Sequence, residues 1–356
     1  MGLPQDVLER IKIMTILNAA EYNGKPNSKS ILGRLMSADQ ELRKYGKELL
    51  PAIEKEIHWI TNQIQETSIE YLLSTLDSDE KSKRPPAKER KEGLPDLNTN
   101  DKEVILRFAP NPNGPLSFGH SRGVIINSKY RENYNGKFIL RFDDTDTKIK
   151  PALLEAYDWI LEDVEWLTGR KPDIIIRASD RVSEYLAFAK KVIRRGLAYV
   201  DQTPAEKFRE LRKSGQLPED RKLPPEIHLE RWAHMVNGDT PEGGAVVRIK
   251  TDETLKNPAL RDWPALRIQT TPHPRPEIAS KTRVWPLLDF QSALDDYEFG
   301  VTHIIRGKDL MDSTRRQKLL YSGLGWKYPE TIYWGRVKIH ETGSFSTSSM
   351  RNAIEN

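Results

Sequence analysis

The fold is decided by the segment Arg107-Phe-Ala-Pro-Asn-Pro-Asn-Gly-Pro-Leu-Ser-Phe-Gly-His120, which follows the apolar run Val104-Ile-Leu. The pattern predicts a short strand, a Pro/Gly turn and a helix that begins near Gly119. Such a junction presents unpaired backbone N–H groups and the positive end of a helix dipole, so phosphate binds there readily. Gly119 lets a flat ring approach the backbone, and His120 can donate a hydrogen bond to a phosphate oxygen. Taken alone, the segment also fits an ordinary turn in which His120 caps the helix.

Strands and helices alternate outward from this segment. Apolar strands are predicted at 104–108, 137–142 and 174–176, and helices at 119–133, 151–168 and 179–195. Alternation of this kind indicates parallel strands in a doubly wound α/β sheet. Residues 201–282 interrupt the pattern with frequent prolines and short strands. The pattern resumes at 284–290 and 301–306, and another helix is predicted at 313–320.

The composition shifts predict the domain organisation. Residues 1–76 contain a helical apolar stripe, which is typical of a helical bundle. The stripe consists of Leu42, Leu49, Leu50, Ile53, Ile57, Ile60 and Ile64. A charged, proline-containing stretch follows and reads as an exposed linker. We predict a helical N-terminal domain (1–76), a linker (77–100), two halves of a Rossmann-like catalytic domain (101–200 and 283–340), a domain inserted between them (201–282) and a terminal loop (341–356).

Composition excludes several classes of protein. The chain has 356 residues, a formal net charge of +4 and no cysteine. Disulfides, thiolate zinc sites, iron–sulfur clusters and cysteine nucleophiles are therefore excluded, and a reducing cytoplasmic setting is expected. The seven histidines show no metal-ligand spacing, so we expect no zinc and no resident metal site. No apolar run is long enough to cross a membrane, and no signal-peptide pattern is visible.

Three further segments carry polar groups suited to chemistry. Asp143, Asp144 and Asp146 follow the predicted strand 137–142, at the edge where open parallel sheets bind ligands. A carboxylate there could hold an ammonium group, cap a turn or hold a metal, and the segment alone leaves these alternatives open. Arg306 ends another strand and suits bidentate binding of a carboxylate. The fourth segment is the hydroxyl-rich loop at 343–350.

Together the four segments resemble the class I aminoacyl-tRNA synthetases, and specifically the glutamyl-tRNA synthetases of the archaeal and eukaryotic type. The segment that ends in Ser117-Phe-Gly-His120 resembles the family's HIGH block, and Ser346-Thr-Ser-Ser-Met350 stands at the KMSKS position. The resemblance covers roughly residues 100–350. It implies ATP-dependent attachment of L-glutamate to tRNA(Glu) through a glutamyl-adenylate, with Mg²⁺ arriving on ATP. Charging of tRNA(Gln) is also within the range of the family.

The resemblance also implies roles for individual residues on the ATP side. Ser117, Gly119 and His120 would line the ATP site, and His120 and Ser349 would be the catalytic positions. This chain has Ser117 where the family has the first histidine of HIGH, and Ser349 where it has the second lysine of KMSKS. That lysine neutralises the departing pyrophosphate, and its loss could cost about 2–4 kcal/mol. Lys338 or Arg351 could replace it.

On the amino-acid side, the resemblance assigns Asp143 to the α-ammonium group of glutamate. Arg107 and Arg306 would bind the two carboxylates, Arg107 taking that of the side chain, and Asn111 and Trp285 would complete the pocket. A substrate with two carboxylates and one amine suits two arginines and one aspartate. The inserted segment would be the domain that binds the acceptor stem of tRNA.

Three alternatives stay open from the sequence. The chain could be a glutaminyl-tRNA synthetase, although Arg306 favours an acidic substrate. It could be a shortened relative that glutamylates a modified tRNA base, although the helical N-terminal region argues against this. It could also be a synthetase-like tRNA-binding module with weakened catalysis. We expect the family's anticodon-binding region to be missing from this chain, which stops soon after the KMSKS position.

Overall fold

A computed structural model describes residues 3–22, 24–76, 93–99 and 103–335. The chain divides into two compact units, Met1–Pro95 and Asp96–Asn356. Most of the predicted linker, at 77–92, lies outside the described residues. So do the hydroxyl-rich loop and Lys338, Ser349 and Arg351.

The first unit contains four α-helices and one short 3-10 helix, Gln40–Tyr45, in its described part. Ile53 and Ile60 of the predicted apolar stripe are fully buried, and so is Leu49, whereas the neighbouring Leu50 is 37% exposed. Asn27 and Ser68 start the second and fourth α-helices by accepting hydrogen bonds from backbone N–H groups. The α-helices are α1 (Gln5–Glu21), α2 (Ser28–Ala38), α3 (Gly46–Glu66) and α4 (Ile69–Ser74).

The second unit contains a parallel sheet of five strands, which confirms the predicted α/β class. The strand order is β3-β2-β1-β8-β9, and every pairing in it is parallel. The strands are β1 (Ile105–Phe108), β2 (Lys137–Phe142), β3 (Ile174–Arg177), β8 (His303–Gly307) and β9 (Glu330–Trp334).

Helices connect these strands and cover the sheet. Phe138, Leu140 and Phe142 of β2 pack with Val124 and Ile160 of the two helices that follow β1 and β2. The helices of the second unit are α5 (Phe118–Asn133), α6 (Leu154–Thr168), α7 (Val182–Arg194), α8 (Ala205–Lys213), α9 (Pro225–Asn237), α10 (Pro276–Ala279), α11 (Leu288–Glu298) and α12 (Met311–Leu324).

The order of the parallel strands creates a switch point between β1 and β8. Leu106 of β1 pairs with His303 of β8, whereas the chain leaves β1 toward β2 on its other side. Connections that diverge in this way open a crevice at the carboxyl ends of the two strands, where ligands of such sheets bind. Arg107 and Arg306 each occupy the penultimate position of their strand, so the fold brings them to this crevice.

A second sheet is antiparallel and has the order β4-β5-β6-β7. Here the structure corrects the prediction that 284–290 continues the parallel pattern. Only Val284–Pro286 is a strand, and it pairs antiparallel with β6, while α11 begins at Leu288. The apolar run passes from the buried strand through Leu288, which is 43% exposed, so hydrophobicity alone does not mark where the strand ends and the helix begins. The strands are β4 (Ala198–Asp201), β5 (Val246–Ile249), β6 (Pro264–Ile268) and β7 (Val284–Pro286).

The inner face of the antiparallel sheet packs on α7, α9, α11 and α12 around Trp232, Trp263 and Phe290. Residues 201–282 lie in the same compact unit as the parallel sheet. Within the described residues, no helix combines the length and the apolar character that a membrane span requires.

Candidate active site

A cavity of about 770 Å³ opens at the switch point between β1 and β8. Its walls come from the β1–α5 loop, the end of β2, strand β6, the start of α11 and the segment from β8 into α12. Most residues predicted for the site line it: Arg107, Asn111, Gly119, His120, Asp143 and Arg306. The structure therefore brings these residues together in one cavity.

The start of α5 is built around Ser117 and His120. Ser117 is the N-cap residue, and its backbone N–H donates to Nδ1 of His120 at 3.1 Å. Because Nδ1 accepts this hydrogen bond, the neutral imidazole carries its proton on Nε2. Partial desolvation at the cavity rim lowers the pKa of His120, which favours this neutral form. His120 is thus both a helix cap and a neutral N–H donor beside the cavity, whereas Ser117 caps the helix and does not line the cavity wall.

Asp143 lines the cavity at the end of β2, where Arg141 holds it. Nε of Arg141 donates to Oδ1 of Asp143 at 2.7 Å, and Nη2 of Arg141 donates to Ser292. Burial raises the pKa of Asp143 by more than the charges of Arg141 and Arg107 lower it. The Asp143 carboxylate therefore lines the cavity while one of its oxygens already accepts a hydrogen bond from Arg141.

Arg107 is fixed by a buried partner that the sequence did not indicate. Its Nε and Nη2 donate to the two carboxylate oxygens of Asp296 at 3.0 and 3.1 Å. Burial alone would raise the pKa of Asp296, but the charges of Arg107 and Arg141 outweigh it and hold this pKa below its usual value. Asp296 therefore remains ionised and neutralises Arg107, leaving the second N–H of Nη2 and the Nη1 group for a ligand.

Arg306 is buried beside Arg107 without a carboxylate partner among the described residues. Its Nη1 donates to Thr314 at 3.3 Å and to Gln317 at 3.2 Å, and its Nε has no hydrogen-bond partner in the described part of the chain. Burial, and then the charge of Arg107, lower the pKa of Arg306. A guanidinium in this setting attracts an anion into the cavity, because no described aspartate or glutamate neutralises it at hydrogen-bond distance.

The other two carboxylates of the 143–146 segment have structural contacts. Asp144 is 1% exposed and accepts hydrogen bonds from Tyr157 and from the N–H and hydroxyl groups of Ser179. Asp146 lines the cavity, but it accepts backbone N–H groups from Lys148 and Ile149 at 3.0 Å, as in a capped turn. A carboxylate that faces the cavity and a carboxylate that caps a turn therefore occur within the same short segment.

Asn111 and Trp285 have different positions relative to the cavity. Nδ2 of Asn111 donates to the backbone carbonyl of Lys150 at 3.2 Å, and its Oδ1 is buried without a partner among the described residues. Trp285 is 1% exposed, stacks on His273 and packs with Val182 and Ile278. It lies behind the wall, while the next residue, Pro286, lines it.

Several polar residues of the cavity wall were not singled out by the sequence. Three of them have buried atoms without hydrogen-bond partners in the described structure, namely Nε of Arg267, Oε1 of Gln269 and Oδ1 of Asp289. Arg267 and Gln269 come from the segment that sequence analysis assigned to the insertion, so only the fold brings them to the site. The residues not singled out include Lys150, Arg267, Gln269, Asp289, Gln291, Ser313 and Arg316. Within the described residues, no group of three or more acidic or histidine side chains is placed to hold a metal ion.

A parallel sheet with a cavity at its switch point, next to a helix whose first turn contains the Gly119-His120 pair, defines a Rossmann-like nucleotide-binding domain of the class I synthetase kind. The chain belongs to the family described as tRNA synthetases class I (E and Q), whose catalytic domain matches residues 103–344.

Similar proteins agree with this family. The chain is 46% identical to a glutamate–tRNA ligase from Methanosarcina mazei over all of its residues, and 45% identical to one from Archaeoglobus fulgidus over 98% of them. It spans 62% of the length of each of these relatives. The fold is similar to that of a glutamate–tRNA synthetase from Elizabethkingia anophelis, with a TM-score of 0.53, 24% identity and coverage of 70% of this chain and 54% of that one.

Proposed function

We propose that the cavity binds L-glutamate and ATP, and that it activates glutamate as an adenylate for transfer to tRNA(Glu). The relatives that carry the name glutamate–tRNA ligase support this substrate class. The observation that carries the proposal is the charge state of the buried arginines around the cavity.

In the described part of the chain, Arg306 is the buried arginine of the cavity wall that lacks an acidic partner. Arg107 pairs with Asp296, and Arg141 contacts Asp143, Asp295 and Asp296, whereas Arg306 has no acidic partner within 4 Å among the described residues. Glutamate has two carboxylates and one ammonium group, and its net negative charge compensates Arg306. Glutamine is neutral overall and would leave Arg306 uncompensated in a buried position, which is costly. The cavity therefore favours glutamate over the glutaminyl alternative.

On the nucleotide side, the start of α5 supplies donors. The α-carboxylate of glutamate attacks the α-phosphorus of ATP, the acyl–phosphate bond forms, and pyrophosphate leaves. Nε2–H of the neutral His120 and the N-terminal end of α5 are suited to stabilise the charge that develops on the phosphate oxygens. Mg²⁺ belongs to the ATP substrate. Asp143, Asp146 and Asp289 of the wall already accept hydrogen bonds from arginines or backbone N–H groups.

The segment at 201–282 is proposed to guide the 3′ end of tRNA to the cavity. Its strand β6 contributes Arg267 to the wall, and its helix α8 presents four exposed cations. Transfer would then form an ester between the activated carboxyl group and a hydroxyl group of the terminal ribose, with release of AMP. We also propose that 201–282 forms a domain inserted between the two halves of the catalytic domain, and that tRNA(Gln) is a second RNA substrate.

Pyrophosphate exchange with purified tRNA tests the proposal. Exchange that depends on glutamate, ATP and tRNA, and that is at least about 100-fold slower with glutamine, is the expected result. Aminoacylation of separate tRNA(Glu) and tRNA(Gln) then reports which RNA is charged. Absence of exchange with either amino acid, in the presence of both RNAs, would leave the weakened tRNA-binding module as the better description of this chain.

A further inference from the structure

We propose that the ion pair between Asp289 and Arg316 is a clamp for a ribose-phosphate unit, with the arginine binding a phosphate oxygen and the aspartate accepting a ribose hydroxyl. The inference deepens the proposed function, since it rests on a nucleotide entering this cavity. Both residues line the cavity, and neither has a role in the assignments above.

Arg316 is held in place on two sides. Its Nη1 donates to Oδ2 of Asp289 at 2.8 Å, and its Nε donates to the backbone carbonyl of Ala259 at 2.8 Å. Arg316 lies on α12 and Ala259 lies in the short helical turn Pro258–Leu260 that precedes β6. Within the described parts of the chain, Nη2 of Arg316 has no acceptor. The guanidinium is therefore oriented before a ligand arrives and still has free N–H groups, a state that suits an oxyanion.

In the described structure, Asp289 has an unused hydrogen-bond acceptor, whereas Arg316 has unused donors. It is 7% exposed in the first turn of α11, and its Oδ1 is buried with no donor among the described residues. Its backbone carbonyl is engaged by Nε2 of Gln317 at 3.3 Å, which fixes the turn. A buried carboxylate oxygen without a donor calls for an O–H or N–H group from a ligand.

The unused donors of Arg316 and the unused acceptor of Asp289 belong to residues that contact each other. An isolated phosphate would meet the free N–H groups of Arg316 but would be repelled by Asp289. A ribose next to a phosphate offers an O–H donor to Oδ1 of Asp289 and an acceptor oxygen to Nη2 of Arg316. The pair is thus complementary to a nucleotide and not to a free anion.

Two sources can provide a ribose-phosphate unit here, namely ATP and the 3′-terminal nucleotide of an RNA. The contact with Ala259 places Arg316 next to the segment proposed to guide RNA, while Gly119 and His120 line the same cavity for ATP. The chemistry is shared, so binding measurements with two probes distinguish the sources.

The test compares the full chain with Arg316→Gln, Asp289→Asn and the control Arg315→Gln. Arg315 is the adjacent residue on α12; it is about half exposed, pairs with the exposed Asp312 and does not line the cavity. One arm measures the dissociation constant of α,β-methylene-ATP by calorimetry. The other measures the affinity of an RNA hairpin with an acceptor-like 3′ end, with and without its terminal nucleotide.

We expect both cavity variants to lose about 10- to 100-fold in affinity in one arm, as for a charge-assisted hydrogen bond at a buried site. Loss of ATP-analogue binding identifies ATP as the ligand of the clamp. Loss of the affinity difference between the two hairpins identifies the terminal nucleotide of RNA. Arg315→Gln is expected to stay within about twofold of the wild type in the ATP arm and in the hairpin difference.

A purely structural role predicts a different result. Arg316→Gln would then lower the unfolding temperature but leave both arms within twofold of the wild type, and this outcome overturns the proposal. If Arg316→Gln does not fold, Arg316→Lys and Asp289→Asn carry the same test, since each keeps a polar side chain on its element. Wild-type protein that binds neither probe also overturns the clamp, whereas binding without pyrophosphate exchange rejects only the proposed activation chemistry.

Discussion

Arg107 and Asp296 are 189 residues apart in the chain, yet they form a buried two-point ion pair with contacts of 3.0 and 3.1 Å. The pair joins the end of β1 to α11, and its arginine lines the cavity. It orients the guanidinium and cancels its charge at the same time. Among the buried arginines of the cavity wall, Arg306 is the one without an acidic partner in the described residues.

Asp296→Asn is expected to weaken glutamate binding and to destabilise the second unit. Removal of one partner from a buried ion pair costs about 3–5 kcal/mol, and Arg107 would lose its fixed orientation. The KM for glutamate in pyrophosphate exchange measures the first effect, and equilibrium unfolding in urea measures the second. ATP affinity should be unchanged.

Asp295→Asn is the matched control for this prediction. Asp295 lies next to Asp296 on α11 and is equally buried. It accepts hydrogen bonds from Arg181 and Tyr185, however, and lies 3.7 Å from Nε of Arg141. None of these last three residues lines the cavity. It should lose stability with a much smaller change in the KM for glutamate. Equal effects of the two variants on KM would show that Asp296 acts only through stability.

Arg306→Gln is expected to raise the unfolding temperature of the protein without ligand and to lower its affinity for glutamate. Burial and the neighbouring Arg107 lower the pKa of Arg306, so its charge is unfavourable in the empty cavity, and removal should raise the unfolding temperature. A gain of about 1 kcal/mol corresponds to roughly 2–4 °C in a unit of this size. Glutamate affinity should fall about 10- to 100-fold, with a smaller change for glutamine. Thermal unfolding without ligand and calorimetry with each amino acid test both parts, and an unchanged glutamate affinity would remove Arg306 from the pocket.

The convergence of three polar residues on one cavity could be predicted from sequence because strand ends are local features. Arg107, Asp143 and Arg306 each stand at or next to the end of an apolar run, and parallel strands bring such ends to one edge. Their partners could not be predicted in the same way. Asp296, the partner of Arg107, lies within α11 far along the chain, and only the packed fold shows that this carboxylate meets this guanidinium.

Trp285 shows a different limit of sequence reasoning. It lies in the fully buried strand β7, in which Val284, Trp285 and Pro286 are all inaccessible. With no polar residue in the strand, alternation cannot indicate which side chain faces the cavity. The structure places Trp285 against His273 and leaves Pro286 at the wall.

Asp143→Asn and Asp144→Asn are expected to separate binding from folding at adjacent positions. Asp143 lines the cavity, so its variant should raise the KM for glutamate about tenfold or more while ATP affinity stays constant. Asp144 accepts hydrogen bonds from Tyr157 at 2.5 Å and from Ser179 at 2.7 Å, and an amide would place N–H groups against these donors. Its variant should lose about 1–3 kcal/mol of stability. If Asp143→Asn has the wild-type KM for glutamate in pyrophosphate exchange, Asp143 does not bind glutamate and only holds Arg141.

Four exposed cations of α8 are expected to contribute to RNA binding by charge alone. Replacement by glutamine should lower the slope of log affinity against log salt by about one for each phosphate group that the helix no longer binds. The four residues are Lys207, Arg209, Arg212 and Lys213. Filter binding of tRNA between low and moderate salt gives the slope. The control variant replaces the same number of exposed cations at and just after the end of α7, namely Lys190, Lys191, Arg194 and Arg195. An equal decrease of the slope in both variants would argue against a specific role for α8.

His120→Gln is expected to remove a pH-dependent part of the stability while it preserves the helix cap. The pKa of His120 in the folded chain lies below the ordinary value of 6.5, so the unfolded chain takes up a proton first as pH falls. Stability from this residue is therefore complete above pH 6.5 and declines as pH drops toward the folded pKa. Glutamine at this position can accept the N–H of Ser117 as in an ordinary capping box but does not titrate. The stability of His120→Gln relative to the wild type should therefore rise as pH is lowered below 6.5, whereas His120→Ala should be less stable at neutral pH because its cap is lost. Urea unfolding between pH 5 and 8 measures both differences, and a gap between wild type and His120→Gln that does not change with pH would contradict the assignment of a neutral His120 at the start of α5.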